Sequence, residues 1–209
     1  MDILQNYLKV KRQIDQTTSR TKLIVVCKNQ EMINILPLIN SGQIHFGENR
    51  VQDAKKKWQN ISSKFLDVKL HFIGKVQSNK INDIFRIFHY VHSLDSEKLA
   101  KSFSEYEIKQ QRKLSYFIQV NIGSELQKSG ILVKDCENFV SLCKNLKLNI
   151  LGLMCIPPAN KNPDEFFLKM NELNMLFGFK ELSMGMSSDY LKAIKFGSTF
   201  VRVGSAIFS

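Results

Sequence analysis

Residues 23–28 read LIVVCK, four aliphatic side chains, a cysteine and a lysine, followed at once by polar Asn29, Gln30 and Glu31. An unbroken aliphatic run this short and this rich in β-branched residues predicts a strand buried on both faces, the habit of parallel sheets. The strand is expected to end at Lys28. In α/β folds, side chains at the carboxyl ends of strands line the ligand-binding mouth. An amine held there beside apolar walls loses part of its preference for the charged form. Such an amine attacks carbonyls, which makes Lys28 a candidate nucleophile toward an aldehyde.

The pattern repeats outward from this strand. Before it, Ile3, Leu4, Tyr7, Leu8 and Ile14 make the apolar stripe of a helix over residues 2–18. After it comes a helix over 31–39, closed by Ser41-Gly42, then a strand at 44–47 and a helical pattern in GENRVQDAKKKW. Further strands are predicted at 70–73, 90–93, 114–120, 148–154, 181–183 and 199–203. Helices are predicted after Ser78 and over 96–108, 133–146, 163–177 and 188–196. Asp95 or Ser96 caps the first of these last four, and Pro163 starts the third. Eight strands separated by single helical segments imply a parallel sheet, and eight is the number that closes on itself.

The expected fold is therefore α/β: a single TIM-like (β/α)8 barrel, one domain over residues 1–209, with an extra N-terminal helix. That helix would fill the gap left by the eighth outer helix, since few residues follow the last strand. The rival is an open doubly wound sheet. It would show a glycine-rich first βα turn for nucleotide phosphate, and CKNQEM has no glycine.

Composition is that of an ordinary globular protein, 44% hydrophobic and 23% charged. No apolar run approaches the roughly 18–20 residues of a membrane span. The opening MDILQNYLKV lacks the plan of a secretory signal, so a cytoplasmic protein is expected. Cys27, Cys136, Cys143 and Cys155 show neither metal-ligand spacing nor a disulfide framework, and reduced buried thiols are expected. His45, His71, His89 and His92 match no metal site and are read as structural. The net charge of +11 raises nucleic acid as a partner. Against it, the lysines are scattered, only Lys55 to Lys57 form a run, and no nucleic-acid-binding signature accompanies them.

A second constellation lies in the last strands. LSMGMSSD (182–189) puts Ser183, Gly185, Ser187 and Ser188 between the seventh strand and its helix. FVRVGSAIF (200–208) puts Arg202 on the eighth strand and Gly204-Ser205 just beyond it. Small and hydroxyl residues in these two loops are where such barrels bind phosphate, because glycines let backbone N–H groups approach and serines add donors. A lysine for an aldehyde, donors for a phosphate and a cation between them describe pyridoxal 5′-phosphate.

The stretches HFGENRVQ (45–52), HFIGKVQSNK (71–80), VHSLDSEKLA (91–100), VNIGSELQKSGI (120–131), GLMCIPP (152–158), LSMGMSSDYLKAI (182–194) and GSTFVRVGSAIF (197–208) span nearly the whole length. Through them the chain resembles the pyridoxal phosphate homeostasis protein family, single-domain relatives of the alanine racemase barrel. The resemblance implies that Lys28 forms a Schiff base with the cofactor and that Arg202 faces the pyridine nitrogen. It also implies that Ser183 with the Gly204-Ser205 amides holds the phosphate, and that Asn49 lies near the ring. The chain departs from the family where Cys27-Lys28-Asn29 replaces the usual Ser-Lys-Thr, and where Lys75 stands in place of a common histidine.

An arginine beside the ring nitrogen discourages its protonation and weakens carbanion stabilisation, a poor design for general amino-acid chemistry. Racemisation also needs an acid or base on each face of the substrate. In racemase relatives a second, β-rich domain from a partner subunit supplies one of them, and this chain ends at Ser209 without it. The expected role is intracellular homeostasis of the cofactor, buffering it and delivering it to apoenzymes, by a monomer without robust catalysis. The alternative is an amino-acid racemase or related enzyme using the same site.

Overall fold

The computed structural model describes residues 2–58 and 65–209. Helix α1 (Ile3–Thr17) opens the chain, with the Asp2 carboxylate accepting from the Leu4 amide as its cap. Eight strands then follow one another around a closed parallel barrel: β1 (Lys22–Val26), β2 (His45–Glu48), β3 (Lys69–Phe72), β4 (Tyr90–Leu94), β5 (Ser115–Asn121), β7 (Asn149–Met154), β8 (Glu181–Met186) and β9 (Phe200–Val203). β1 pairs with both β2 and β9, and β4 pairs with β5, which closes the ring. Helices α2 (Met32–Asn40), α3 (Val51–Trp58), α4 (Ile81–Ile87), α5 (Glu97–Gln110), α6 (Cys136–Asn145), α7 (Pro163–Leu176) and α8 (Tyr190–Lys195) form the outer layer, and a four-residue α9 (Ser205–Phe208) follows β9. Helix α1 packs against α8, α9 and α2, so it covers the gap as expected. Ser96, not Asp95, caps α5.

The strands are buried on both faces because helices cover the outside and side chains fill the inside. Ile24, Phe117, Met154 and Phe200 form an apolar plug within the barrel, separate from the larger shell of side chains packed between strands and helices. The floor is tied by Gln43, whose Nε2 donates to the carbonyls of Leu23 and His45, both at 2.7 Å. All four cysteines are free and buried, with Cys136 and Cys143 both on α6.

Three differences from the sequence expectation matter most. A ninth strand, β6 (Ile131–Leu132), pairs with β5 outside the barrel. β1 ends at Val26, two residues before Lys28. β8 runs on to Met186, where a loop was expected after Ser183, because the chain absorbs a register shift between Ser183 and Met186 instead of leaving the sheet. Gly185, at φ 91°, makes that bulge, and a Cβ there would crowd Ala193 and Tyr190.

Candidate functional site

Lys28 is held on a tight turn. The Gln30 amide donates to the Cys27 carbonyl at 3.1 Å, so residues 27–30 form a β-turn with Lys28 and Asn29 at its corners. Asn29 takes φ 60°, a left-handed conformation that asparagine tolerates and a β-branched residue resists. The Cys27 side chain packs fully inside the protein while Lys28 is exposed.

A second clamp fixes the same carbonyl. Lys57 Nζ donates to the Cys27 carbonyl at 2.6 Å and to Glu48 Oε1 at 2.8 Å, and Trp58 Nε1 donates to the same Glu48 oxygen at 3.0 Å. Glu48 is fully buried, and its Oε2 has no protein partner among the described residues. Helix α3 is thereby tied to the end of β1 through buried charge. Beside this clamp, Asn29, Glu31, Arg50, Asp53, Lys56 and Lys57 line an open groove of about 560 Å³ outside the barrel.

The mouth itself is a cavity of about 400 Å³ at the carboxyl ends of the strands. Lys28, Asn49, Arg202, Gly204 and Ser205 all line it, together with Ser187, Ser188 and apolar Val26, Ile73, Met154 and Ile156. Asn49 reaches it because β2 and β3 approach closely there. A Cβ at Gly74 would collide with the Asn49 carbonyl, so only glycine fits. The Ser187 hydroxyl accepts from the amides of Gly204 and Ala206, at 3.2 and 3.3 Å, which marks the turn after β9 as a cluster of inward-facing donors.

Ser183 does not line the cavity. It sits within β8 with no exposure, below the mouth, where its Oγ accepts from Arg202 Nη1 at 2.7 Å. The loop positions expected to flank a phosphate are filled by Ser187 and Ser188 instead, because β8 continues three residues past Ser183. Arg202 Nη2 donates to the Cys155 carbonyl at 3.0 Å. Among the described residues no carboxylate lies within ion-pair distance of this guanidinium, which is only 5% exposed. Burial pulls its pKa down, with Cys155 and Asp189 opposing. A buried cation without an anion is costly unless a ligand supplies the missing acceptors. Cation, donor turn and amine together suit a ligand carrying an aldehyde, a hydrogen-bond acceptor and an anion.

Beneath Arg202 lies a chain of side chains that sequence patterning does not reveal. His92 Nδ1 is 2.9 Å from Ser183 Oγ, His71 Nδ1 is 2.8 Å from His92 Nε2, and His45 Nδ1 is 2.9 Å from His71 Nε2. The histidines climb the inner wall on β2, β3 and β4. His45 pairs with Lys69, two residues before His71, and His71 pairs with Tyr90, two residues before His92. Steps of two keep all three on one face, the only available signal, and it is invisible until strand register is known. Their rings stack on neighbours, His71 on Tyr90 at 4.2 Å and His92 on Phe117 at 4.4 Å between centroids. Among the described residues no group of histidine, cysteine and carboxylate side chains could hold a metal ion.

These histidines are neutral when folded. Burial pushes His71 and His92 well below the ordinary histidine range, and neighbouring basic groups, the other histidines beside His71 and Arg202 beside His92, add to it. His45 falls from 6.5 to about 4, through burial and then Lys22 and Lys69, with Glu181 opposing. Below pH 6.5 the unfolded chain takes up protons that the folded chain refuses, so protons favour unfolding. Stability is expected to be full above that pH and to fall steadily toward about pH 4. The urea midpoint should be clearly lower at about pH 5 than at about pH 7; equal midpoints would contradict neutral buried histidines.

A family model described as the alanine racemase N-terminal domain matches residues 2–209. The pyridoxal phosphate homeostasis protein of Haemophilus influenzae is 36% identical over 214 residues, covering 94% of this chain and 88% of that protein. The chain belongs to the pyridoxal phosphate homeostasis protein family. PipY of Synechococcus elongatus, solved with PLP bound, is 30% identical with a TM-score of 0.90, over 99% of this chain and all of that one. The barrel is also shared with alanine racemase from Corynebacterium glutamicum, 19% identical with a TM-score of 0.72, of which this chain covers 60%. That last likeness speaks for the fold alone. No helix among the described residues is long and apolar enough to cross a membrane.

Proposed function

We propose that this protein binds pyridoxal 5′-phosphate covalently through Lys28 and takes part in keeping the cofactor available without letting its free aldehyde react elsewhere. One observation carries the reading. The Lys28 turn, the buried Arg202 and the donor turn at Gly204-Ser205 open onto the same cavity, at the end of the barrel where such folds bind ligands. When bound, the cofactor supplies an aldehyde that condenses with an amine and releases water, a ring nitrogen that accepts a hydrogen bond, and a phosphate. Lys28 presents its amine from a turn fixed by the Gln30 amide and by Lys57. Arg202, always a donor, faces the ring nitrogen and keeps it unprotonated. Ser187, Ser188 and the Gly204-Ser205 turn receive the phosphate, with the Gly204 amide bracing the Ser187 hydroxyl, and Asn49 borders the ring. Ser183 acts from behind Arg202, not on the phosphate.

In this reading the recipients are apoenzymes that use the cofactor, and the protein works as a monomer in the cytoplasm. Four buried free thiols suit a reducing compartment. The test compares pyridoxal 5′-phosphate with unphosphorylated pyridoxal by following the visible band of lysine-bound cofactor. Two charge-assisted hydrogen bonds to phosphate, at about 1.5–3 kcal/mol each, correspond to roughly 10²–10⁴-fold tighter binding of the phosphorylated form. Equal affinity for the two would remove the phosphate site.

A further inference from the structure

We propose that Ser183, His92, His71 and His45 form a one-directional hydrogen-bond chain that holds the Arg202 guanidinium in its reading position, so that Ser183 and His92 are positioning residues for the cofactor-facing arginine. The inference rests on the reading that Arg202 meets the ring nitrogen.

The direction follows from counting donors and acceptors. A guanidinium only donates, so Ser183 Oγ accepts from Arg202 Nη1. The other hydrogen-bond partner of that hydroxyl among the described residues is His92 Nδ1, so the hydroxyl proton goes there and Nδ1 accepts. His92 then carries its proton on Nε2 and donates to His71 Nδ1. His71, for the same reason, donates from Nε2 to His45 Nδ1, and His45 keeps its proton on Nε2. All three rings are neutral and share one tautomer. Reversing the chain would leave a buried hydroxyl proton without an acceptor, because Arg202 already occupies the other side of the oxygen.

The arrangement extends from half-buried His45 at the barrel floor to Arg202 at the mouth. With no carboxylate in ion-pair range, Ser183 and the Cys155 carbonyl are the groups that orient the guanidinium. Neutral imidazoles do this without placing a second positive charge beside it, and the stacked rings keep the ladder rigid. Removing the hydroxyl frees Nη1 to turn, and the ring nitrogen then meets a loosely placed donor. The pH midpoint of the bound cofactor's absorbance responds to that nitrogen, so it reports the arginine's placement.

The experiment has two arms. In the first, nitrogen-15 NMR of histidine-labelled protein without cofactor reads the tautomer of each ring. The expected result is the Nε2-protonated neutral form for His45, His71 and His92 in wild type, with the same tautomer in Ser183→Ala and only the His92 Nδ1 resonance displaced, because that nitrogen has lost its donor. An Nδ1-protonated ring or an imidazolium at any of the three in wild type near neutral pH overturns the chain. In the second, the visible band of cofactor-loaded protein is titrated with pH. Ser183→Ala and His92→Phe are expected to keep loading at Lys28 while moving the midpoint by about one pH unit, and Ser183→Thr to restore the wild-type value. Superimposable profiles for all variants overturn the positioning role. If Ser183→Ala does not fold, His71→Gln, which touches neither Arg202 nor the mouth, gives the tautomer readout at His92 and His45. Wild type that forms no visible band overturns the functional reading on which the positioning role rests, and the tautomer arm still decides the chain itself.

Discussion

Replacing Lys28 by alanine is expected to abolish the visible band of bound pyridoxal 5′-phosphate while leaving the fold intact. Lys28 is the sole lysine among the described residues lining the mouth, so no second amine there can take its place. It sits at an exposed turn corner, and the turn is made by the backbone of Cys27 and Gln30 together with Lys57. Losing an exposed side chain of this kind changes stability by no more than about 0.5 kcal/mol. Affinity, by contrast, loses its covalent bond and retains only the phosphate and ring contacts. Absorbance titration and a urea melt of the same preparation separate the two effects. A variant that stays yellow with an equally stable adduct would reassign the site.

Glu48→Ala is expected to have the largest effect on stability. The carboxylate is fully buried, and it neutralises Lys57, whose side chain is only 10% exposed. Breaking a buried pair by removing one partner costs about 3–5 kcal/mol, because the other charge stays behind uncompensated. Trp58 Nε1 also loses its acceptor. Against a total stability of about 5–15 kcal/mol for a domain, this is a large fraction. It reaches function as well, since Lys57 anchors the carbonyl of Cys27 next to Lys28. Glu48→Gln retains an acceptor for Trp58 and should be milder. Urea midpoints should rank wild type above Glu48→Gln above Glu48→Ala, with slower cofactor uptake in the last. Equal midpoints for Glu48→Ala and wild type would show that the clamp carries no weight.

The barrel was legible because its strands are buried on both faces and therefore read as continuous apolar runs, LIVV above all, separated by helical stripes. Lys28, Arg202, Gly204, Ser205 and Asn49 do gather at one mouth, since strand ends in a parallel barrel all point the same way. Ser183 lies within the strand and not in the loop for a local reason. Gly185 reads as the centre of a turn, yet here it is a bulge that lets β8 continue to Met186. The histidine ladder was out of reach for a different one. His45, His71 and His92 are far apart in sequence and become neighbours only through a stagger of two residues between strands, a quantity that one-dimensional patterning does not contain. The Glu48, Lys57 and Trp58 clamp was hidden likewise, because its members look like ordinary polar and apolar positions of GENRVQDAKKKW until α3 folds back on the strand ends.

The most direct measurement is borohydride reduction of the protein after incubation with pyridoxal 5′-phosphate, followed by peptide mass spectrometry. Reduction makes the carbon–nitrogen bond permanent and preserves the address of the amine that formed it. One cofactor per chain on the peptide containing Lys28 is the expected result. Label spread over surface lysines, or concentrated on a lysine outside the mouth, would contradict it.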